Sequence, residues 1–160
     1  MIFQKNKQGN LEIKSKKATI VFDGVIKVND VELEGAGEYE IGEVAIEGVS
    51  DSIYIFQIED IVLGSVNFKS KIAKENNEKL SNADALLIRL DGKPSEAVET
   101  TGQIGAAISI YVGAQSAEQA LKAAGATFEK VESLKLTKGD TEEERSYFIQ
   151  IMNGNTETVQ

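Results

Sequence analysis

The sequence predicts a mixed α/β domain of the α+β kind, two mostly antiparallel sheets packed face to face with helices outside them. Three observations predict it. Up to about residue 64, apolar and polar residues alternate in short runs separated by turn residues, the pattern of an antiparallel meander. After Asn67 the pattern becomes helical stretch, apolar run, helical stretch, apolar run. The length of 160 residues, 41% of them hydrophobic and 27% charged, suits one domain with its own core.

The elements follow in order. Leu11 and Ile13, then Ala18, Ile20 and Phe22, alternate with polar residues as in half-buried strands, and 14–17 reads as their connection. Asp23-Gly24 is a turn signal. Val25 to Val28 resumes the strand pattern, Asn29-Asp30 turns it, and Val31 and Leu33 alternate with Glu32 and Glu34. Gly35-Ala36-Gly37 breaks the run. Tyr39 and Ile41, then Val44, Ile46 and Val49, form a hairpin around Gly42. Ile53, Ile55 and Ile58 lead through Glu59-Asp60 into Ile61-Val62-Leu63.

Residues 69–80 are polar and rich in helix formers. Ala85 to Ile88 and Ala106 to Val112 are continuous apolar runs of the kind found in buried strands. Between them Asp91-Gly92 turns the chain, and Pro94 opens a helix to about Gly102, since its missing N–H is not needed in a first turn. Ser116 opens the best helix pattern. It forms a capping-box pattern with Gln119, places Ala117, Ala120, Leu121 and Ala124 on one face, and stops at Gly125. Residues 127–131 and 146–152 read as the last strands. The expected organisation is one domain over 1–152 and a polar tail at 153–160.

Composition excludes whole classes of chemistry. The chain has no cysteine and no histidine, so thiol nucleophiles, disulfides, imidazole-ligated zinc and Ser-His-Asp catalysis are unavailable to its own side chains. The formal net charge of -9 repels phosphate backbones. Lys5, Lys7, Lys14, Lys16 and Lys17 cluster locally, but only 6% of residues are aromatic, so no nucleic-acid partner is expected. No apolar stretch reaches the length of a membrane span, and the opening MIFQKNKQGN lacks the apolar run of a secretory leader. The expected location is cytoplasmic, with no membrane partner.

One segment carries a resemblance. Glu34-Gly35-Ala36-Gly37-Glu38-Tyr39-Glu40-Ile41, continuing to Val49, resembles the Gly-Pro-Gly-Glu-Tyr-Glu-Ile turn and following strand of small predicted zinc-dependent hydrolases, ascorbate-lactonase-like members of the metallo-β-lactamase-fold superfamily. Ala36 stands at the proline position. Residues 52–65 are similar to the family's next hairpin, whose second strand ends in Leu-Gly-Asp. Residues 83–88 resemble the strand after it, and 106–113 the strand ending in Pro-Met-His. The resemblance implies a metallo-β-lactamase-like sandwich, reduced in size.

It also implies a lost metal site. The family's His-x-His-x-Asp-His motif needs a loop and helix, and here about a dozen residues separate Phe22-Asp23 from Glu34-Gly35. Ser65 stands where the bridging aspartate belongs, and Gly113 where the last histidine belongs. No catalytic residue, cofactor or metal is therefore expected. Gly64, Ser65, Tyr111 and Gly113 mark the vestigial site that the resemblance implies.

Several groups have two readings. Ser65 as a nucleophile needs a base, which only a lysine could supply; the plainer reading is a small residue filling space. Tyr111 to Ala114, before a helix N-terminus, suits an anion or small ligand, or is an ordinary turn. Asp30, Glu32 and Glu34 share one strand face, followed by Glu38 and Glu40. They could hold a hard cation, keep an edge strand soluble, or meet a basic partner, so Asp30, Glu32 and Glu34 are the candidate acidic interaction face. Gly35-Ala36-Gly37 could cradle a phosphate or simply punctuate the backbone. Glu142-Glu143-Glu144 reads as a solvated run.

The leading functional expectation is a non-catalytic relative of the metallo-hydrolases acting as a binding or assembly module, forming a homo-oligomer or meeting a protein partner. The alternatives are a hydrolase with a carboxylate metal site and a small-ligand sensor.

Overall fold

The computed structural model describes residues 1–68, 74–90 and 94–151. It is an α+β structure with two sheets and three helices among these residues. The first sheet orders six strands as β13-β1-β2-β3-β4-β5, where β1 is Ile2–Lys5, β2 Leu11–Lys14, β3 Thr19–Phe22, β4 Ile26–Val28, β5 Val31–Glu32 and β13 Ser133–Lys135. Every pairing in it is antiparallel. The second sheet orders eight strands as β12-β14-β11-β10-β9-β8-β7-β6. These are β6 Gly37–Ile41, β7 Val44–Ser50, β8 Ile53–Ile58, β9 Ile61–Phe68, β10 Ala85–Leu90, β11 Ile108–Gly113, β12 Glu129–Lys130 and β14 Arg145–Gln150.

The second sheet is mixed, which corrects the expectation of two mostly antiparallel sheets. β6 to β9 pair antiparallel, whereas β9, β10, β11, β14 and β12 run parallel to one another. The physical reason is the connection. A two-residue turn reverses a strand, but a helix between strands returns the chain to the edge where it started. Helices α1 (Lys74–Leu80), α2 (Pro94–Ile104) and α3 (Gln115–Ala123) supply those returns.

Tight turns build the antiparallel part. Asn29 and Asp30 both have positive φ, 49° and 69°, in the two-residue loop closing Val28 onto Val31. Gly42 and Glu43, at 59° and 61°, close Ile41 onto Val44 in the same way. Between these hairpins, 33–36 carries the chain from the edge of one sheet to the edge of the other.

Two cores result. Phe3, Leu11, Ile13 and Ile20 from the first sheet meet Phe56, Leu63, Leu87 and Ile110 from the second. On the other side of the second sheet, Leu80, Ala97, Ile104 and Leu121 of the helices pack on Val66, Phe68, Leu86, Ile88 and Phe148. Each Val, Leu, Ile or Phe side chain among them stabilises the fold by about 1.5–3 kcal/mol relative to exposure. All three helices lie on this one side. The outer face of the first sheet carries instead the cross-strand row Glu12, Val21, Lys27 and Glu32, mostly polar.

Smaller corrections follow. α3 starts at Gln115 with Ala114 as its cap, not Ser116, because Ala114 is already extended (φ -74°, ψ 170°) directly after β11 and the next residues turn at once into helix. The last strands are Glu129–Lys130 and Arg145–Gln150, shorter than 127–131 and offset from 146–152. β1, β13 and a 3₁₀ turn at Lys138–Glu142, capped reciprocally by Thr137 and Asp140, had no sequence prediction. The Asp91-Gly92 turn, residues 69–73 of the first predicted helix, and the predicted tail lie outside the described residues.

Asp30, Glu32 and Glu34 do not share a strand. Asp30 sits in a turn, Glu32 in two-residue β5, and Glu34 in the link between sheets; all three are exposed. A strand needs extended φ, and the positive φ of Asp30 takes it out of the alternation.

Candidate functional site

The side-chain period of two decides where the predicted residues point. In β9, Ile61, Leu63 and Ser65 face the first sheet, and Gly64, Val66 and Phe68 face the helices. Ser65 is 0% exposed, and its hydroxyl has no hydrogen-bond partner among the described residues. It lies between Tyr54 and Leu87 in the intersheet core. Gly64 lies under α1, where an added Cβ would stand 2.8 Å from Leu80 Cδ2. Gly113 lies under α3, where a Cβ would stand 2.9 Å from Ala117 Cβ and 3.4 Å from Leu90 Cβ. Tyr111 also faces the helices, buried against Phe128, with its hydroxyl bonded to Thr101 and its phenol pushed up in pKa by burial. The four predicted positions thus fall on both faces of the sheet and form no common pocket.

The intersheet mouth is filled by aromatic clamps. The Gly35 N–H donates to Tyr54 Oη at 3.0 Å, and Tyr39 Oη donates to the Gly35 carbonyl at 3.0 Å. The Arg89 guanidinium lies over the Phe22 ring at 4.8 Å. Burial raises the Tyr54 pKa, keeping this hydroxyl protonated. The Gly35-Ala36-Gly37 segment is therefore held by tyrosines, and the Gly35 N–H is not free to cradle a phosphate. Among the described residues no three carboxylates gather as a cation site.

A cleft lies elsewhere on the surface. About 680 Å³ in volume, it sits on the helix side, at the edge where β11 and β14 begin. Its floor is Ser109 and Tyr111 of β11 with Ser146 of β14, Ser109 and Ser146 being register partners. One wall is the C-terminal turn of α2 at Thr101, Gly102 and Gly105; the other is the exit of α3 through Gly125 to Phe128. Glu129, Glu144 and Arg145 stand at its rim. Nearby, Glu118 braces α3 onto β12: its carboxylate pairs with Lys130 at 3.0 Å and Lys122 at 3.5 Å. The Lys130 hydrogen bond holds the Glu118 carboxyl below its usual pKa.

Sequence reasoning placed Tyr111 but missed Thr101, Ser109, Phe128 and Ser146. They lie on three different elements and the loop before β12, and only the folding of parallel strands beside helices of unequal length assembles them. The buried Glu118 was concealed by its place in an otherwise ordinary polar helix face. No helix among the described residues is long and apolar enough to cross a membrane. No known protein family, curated protein or solved structure matches the chain.

Proposed function

We propose that this chain is a non-catalytic binding or assembly module, a reduced metallo-β-lactamase-like sandwich without a metal centre that works in the cytoplasm as a homo-oligomer or with a protein partner. The observation that supports this reading is the state of the two positions the resemblance assigns to metal ligands. Ser65 is sealed between the sheets with no hydrogen-bond partner among the described residues, and the Cβ direction of position 113 runs into Ala117 and Leu90. A catalytic metal needs several ligands converging on one open position, and these two point to opposite sides of the sheet. The test pairs light scattering of the purified chain with zinc and manganese titration calorimetry and hydrolysis assays on lactone, thioester and phosphoester substrates. A defined oligomer with no metal binding and no turnover is the expected result. A stoichiometric metal with metal-dependent turnover would overturn the reading.

A second reading, a small-ligand sensor, is favoured by the cleft beside Tyr111. A ligand that binds only the folded state raises the melting temperature in proportion to its concentration, which a purely structural module does not do.

A further inference from the structure

We infer that the cleft on the helix side takes a small organic cation, an alkylammonium compound rather than an anion or a metal ion. The inference draws on the binding reading only in requiring a ligand, and holds whether or not the chain assembles with a partner. Parallel strands separated by helices force the helices to run opposite to them. Both α2 and α3 therefore end at the edge where β11 and β14 begin, and the cleft is lined by the C-terminal turn of α2 and by the segment that leaves α3 from Gly125. The carbonyls of Gly102, Gln103 and Ile104 receive no backbone donor among the described residues. A helix C-terminus carries about half a negative charge, and that of α2 opens here, whereas the last carbonyls of α3 accept from the Ala124, Gly125 and Ala126 N–H groups.

The side chains add to this field. Glu129 and Glu144 line the cleft and have no ion-pair partner among the described residues, whereas Arg145, a cation on the rim, is bonded to Glu143 at 2.8 Å. The Phe128 ring already draws a cation, since the Lys122 ammonium lies 5.9 Å from its centroid. The hydroxyls of Ser109 and Ser146 give the floor neutral acceptors for N–H or O–H groups. No set of three carboxylates converges as a bare metal ion would need, while about 680 Å³ accommodates an ammonium group with its alkyl body. The sequence suggested an anion at the N-terminus of the helix after Gly113. The cavity lies at the opposite end of that helix, where the field has the opposite sign.

The experiment titrates the full chain with choline, with putrescine, and with 3,3-dimethylbutanol, the uncharged isostere of choline, following backbone amide shifts by NMR. Saturable shifts at Thr101, Phe128 and Ser146 are expected with both cations in the millimolar range, and at least tenfold weaker binding of the isostere. Glu129→Gln and Glu144→Gln should each weaken choline about two- to fivefold, and Phe128→Leu by a similar factor. Glu38→Gln, on a distant edge strand, should change nothing. Should Phe128→Leu fail to fold, the two glutamine variants decide. Equal binding of the isostere, shifts confined to other surfaces, or no saturable shift with either cation would each overturn the inference. None of these results depends on oligomeric state, so failure here is distinguishable from failure of the assembly reading.

Discussion

Replacing Ser65 with alanine should stabilise the protein, which is the reverse of what most buried substitutions do. The serine hydroxyl is fully buried, sits among apolar side chains of the intersheet core, and has no partner among the described residues. Leaving a buried hydroxyl unpaired costs about 1–3 kcal/mol relative to its hydrated state in the unfolded chain. Deleting the oxygen removes that cost but forfeits its dispersion contacts and leaves a void smaller than a methyl group, together about 0.5–1 kcal/mol. The net expectation for Ser65→Ala is a gain of about 1 kcal/mol, or about 2–4 °C in melting temperature for a domain of this size. Urea denaturation followed by circular dichroism measures it directly, with the slope m unchanged between the two proteins. A loss of stability at constant m would refute the reasoning. It would mean that the hydroxyl has a partner in solution, a bound water or ligand, and that the space between the sheets is reachable there. The sealed state of position 65, which supports the non-catalytic reading, would fall with it.

Other predictions test the turn, the helix brace and the cleft. Gly42→Ala should destabilise by about 1–3 kcal/mol, since its φ is +59° and a Cβ would meet the Asn29 amide and come within 2.8 Å of the Lys17 carbonyl oxygen; a thermal melt reads the loss. Glu118→Gln should cost about 1 kcal/mol at neutral pH. Because the Glu118 carboxyl titrates below its usual range, its contribution is present above the unfolded carboxylate pKa and is lost as pH falls through the folded value. The stability gap between wild type and Glu118→Gln should therefore close in acid, as paired urea titrations across that range would reveal. Tyr111→Phe should cost about 1 kcal/mol by removing the bond to Thr101. The wild-type phenol, raised by burial, contributes stability fully present below the unfolded tyrosine pKa of about 10 and lost as pH rises through the folded value. Tyrosinate absorbance during an alkaline titration should show one late-ionising tyrosine fewer in the variant.

The antiparallel half of the fold was legible because its determinants are local. Asn29-Asp30 and Gly42-Glu43 tolerate positive φ, and alternation on either side of them fixes which residues face inward. The apolar runs at 85–88 and 106–112 were legible as buried strands for the same kind of reason, being covered on both faces. The site was far less legible. Tyr111 could be singled out, but its surroundings could not, because Thr101, Phe128 and Ser146 come from separate parts of the chain with no fixed spacing. The shared strand face of Asp30, Glu32 and Glu34 dissolved once Asp30 proved to be a turn residue. Strands β1 and β13 escaped notice because they are short and pair across most of the chain, Phe3 opposite Leu134.

The sequence alone determined the class of fold, the hairpin turns, the helical crossovers and the absence of thiol and imidazole chemistry, all set by residue type and by interactions over a few positions. Only the tertiary structure decided that the meander splits into two sheets at 33–36, that the second sheet is half parallel, and that all three described helices cover one face. It alone turned Ser65 inward and Gly64 and Gly113 outward, and brought the C-terminus of α2 and the exit of α3 to one cleft. Those outcomes depend on how strands from distant parts of the chain align, a choice made by the burial of whole faces that no local pattern encodes.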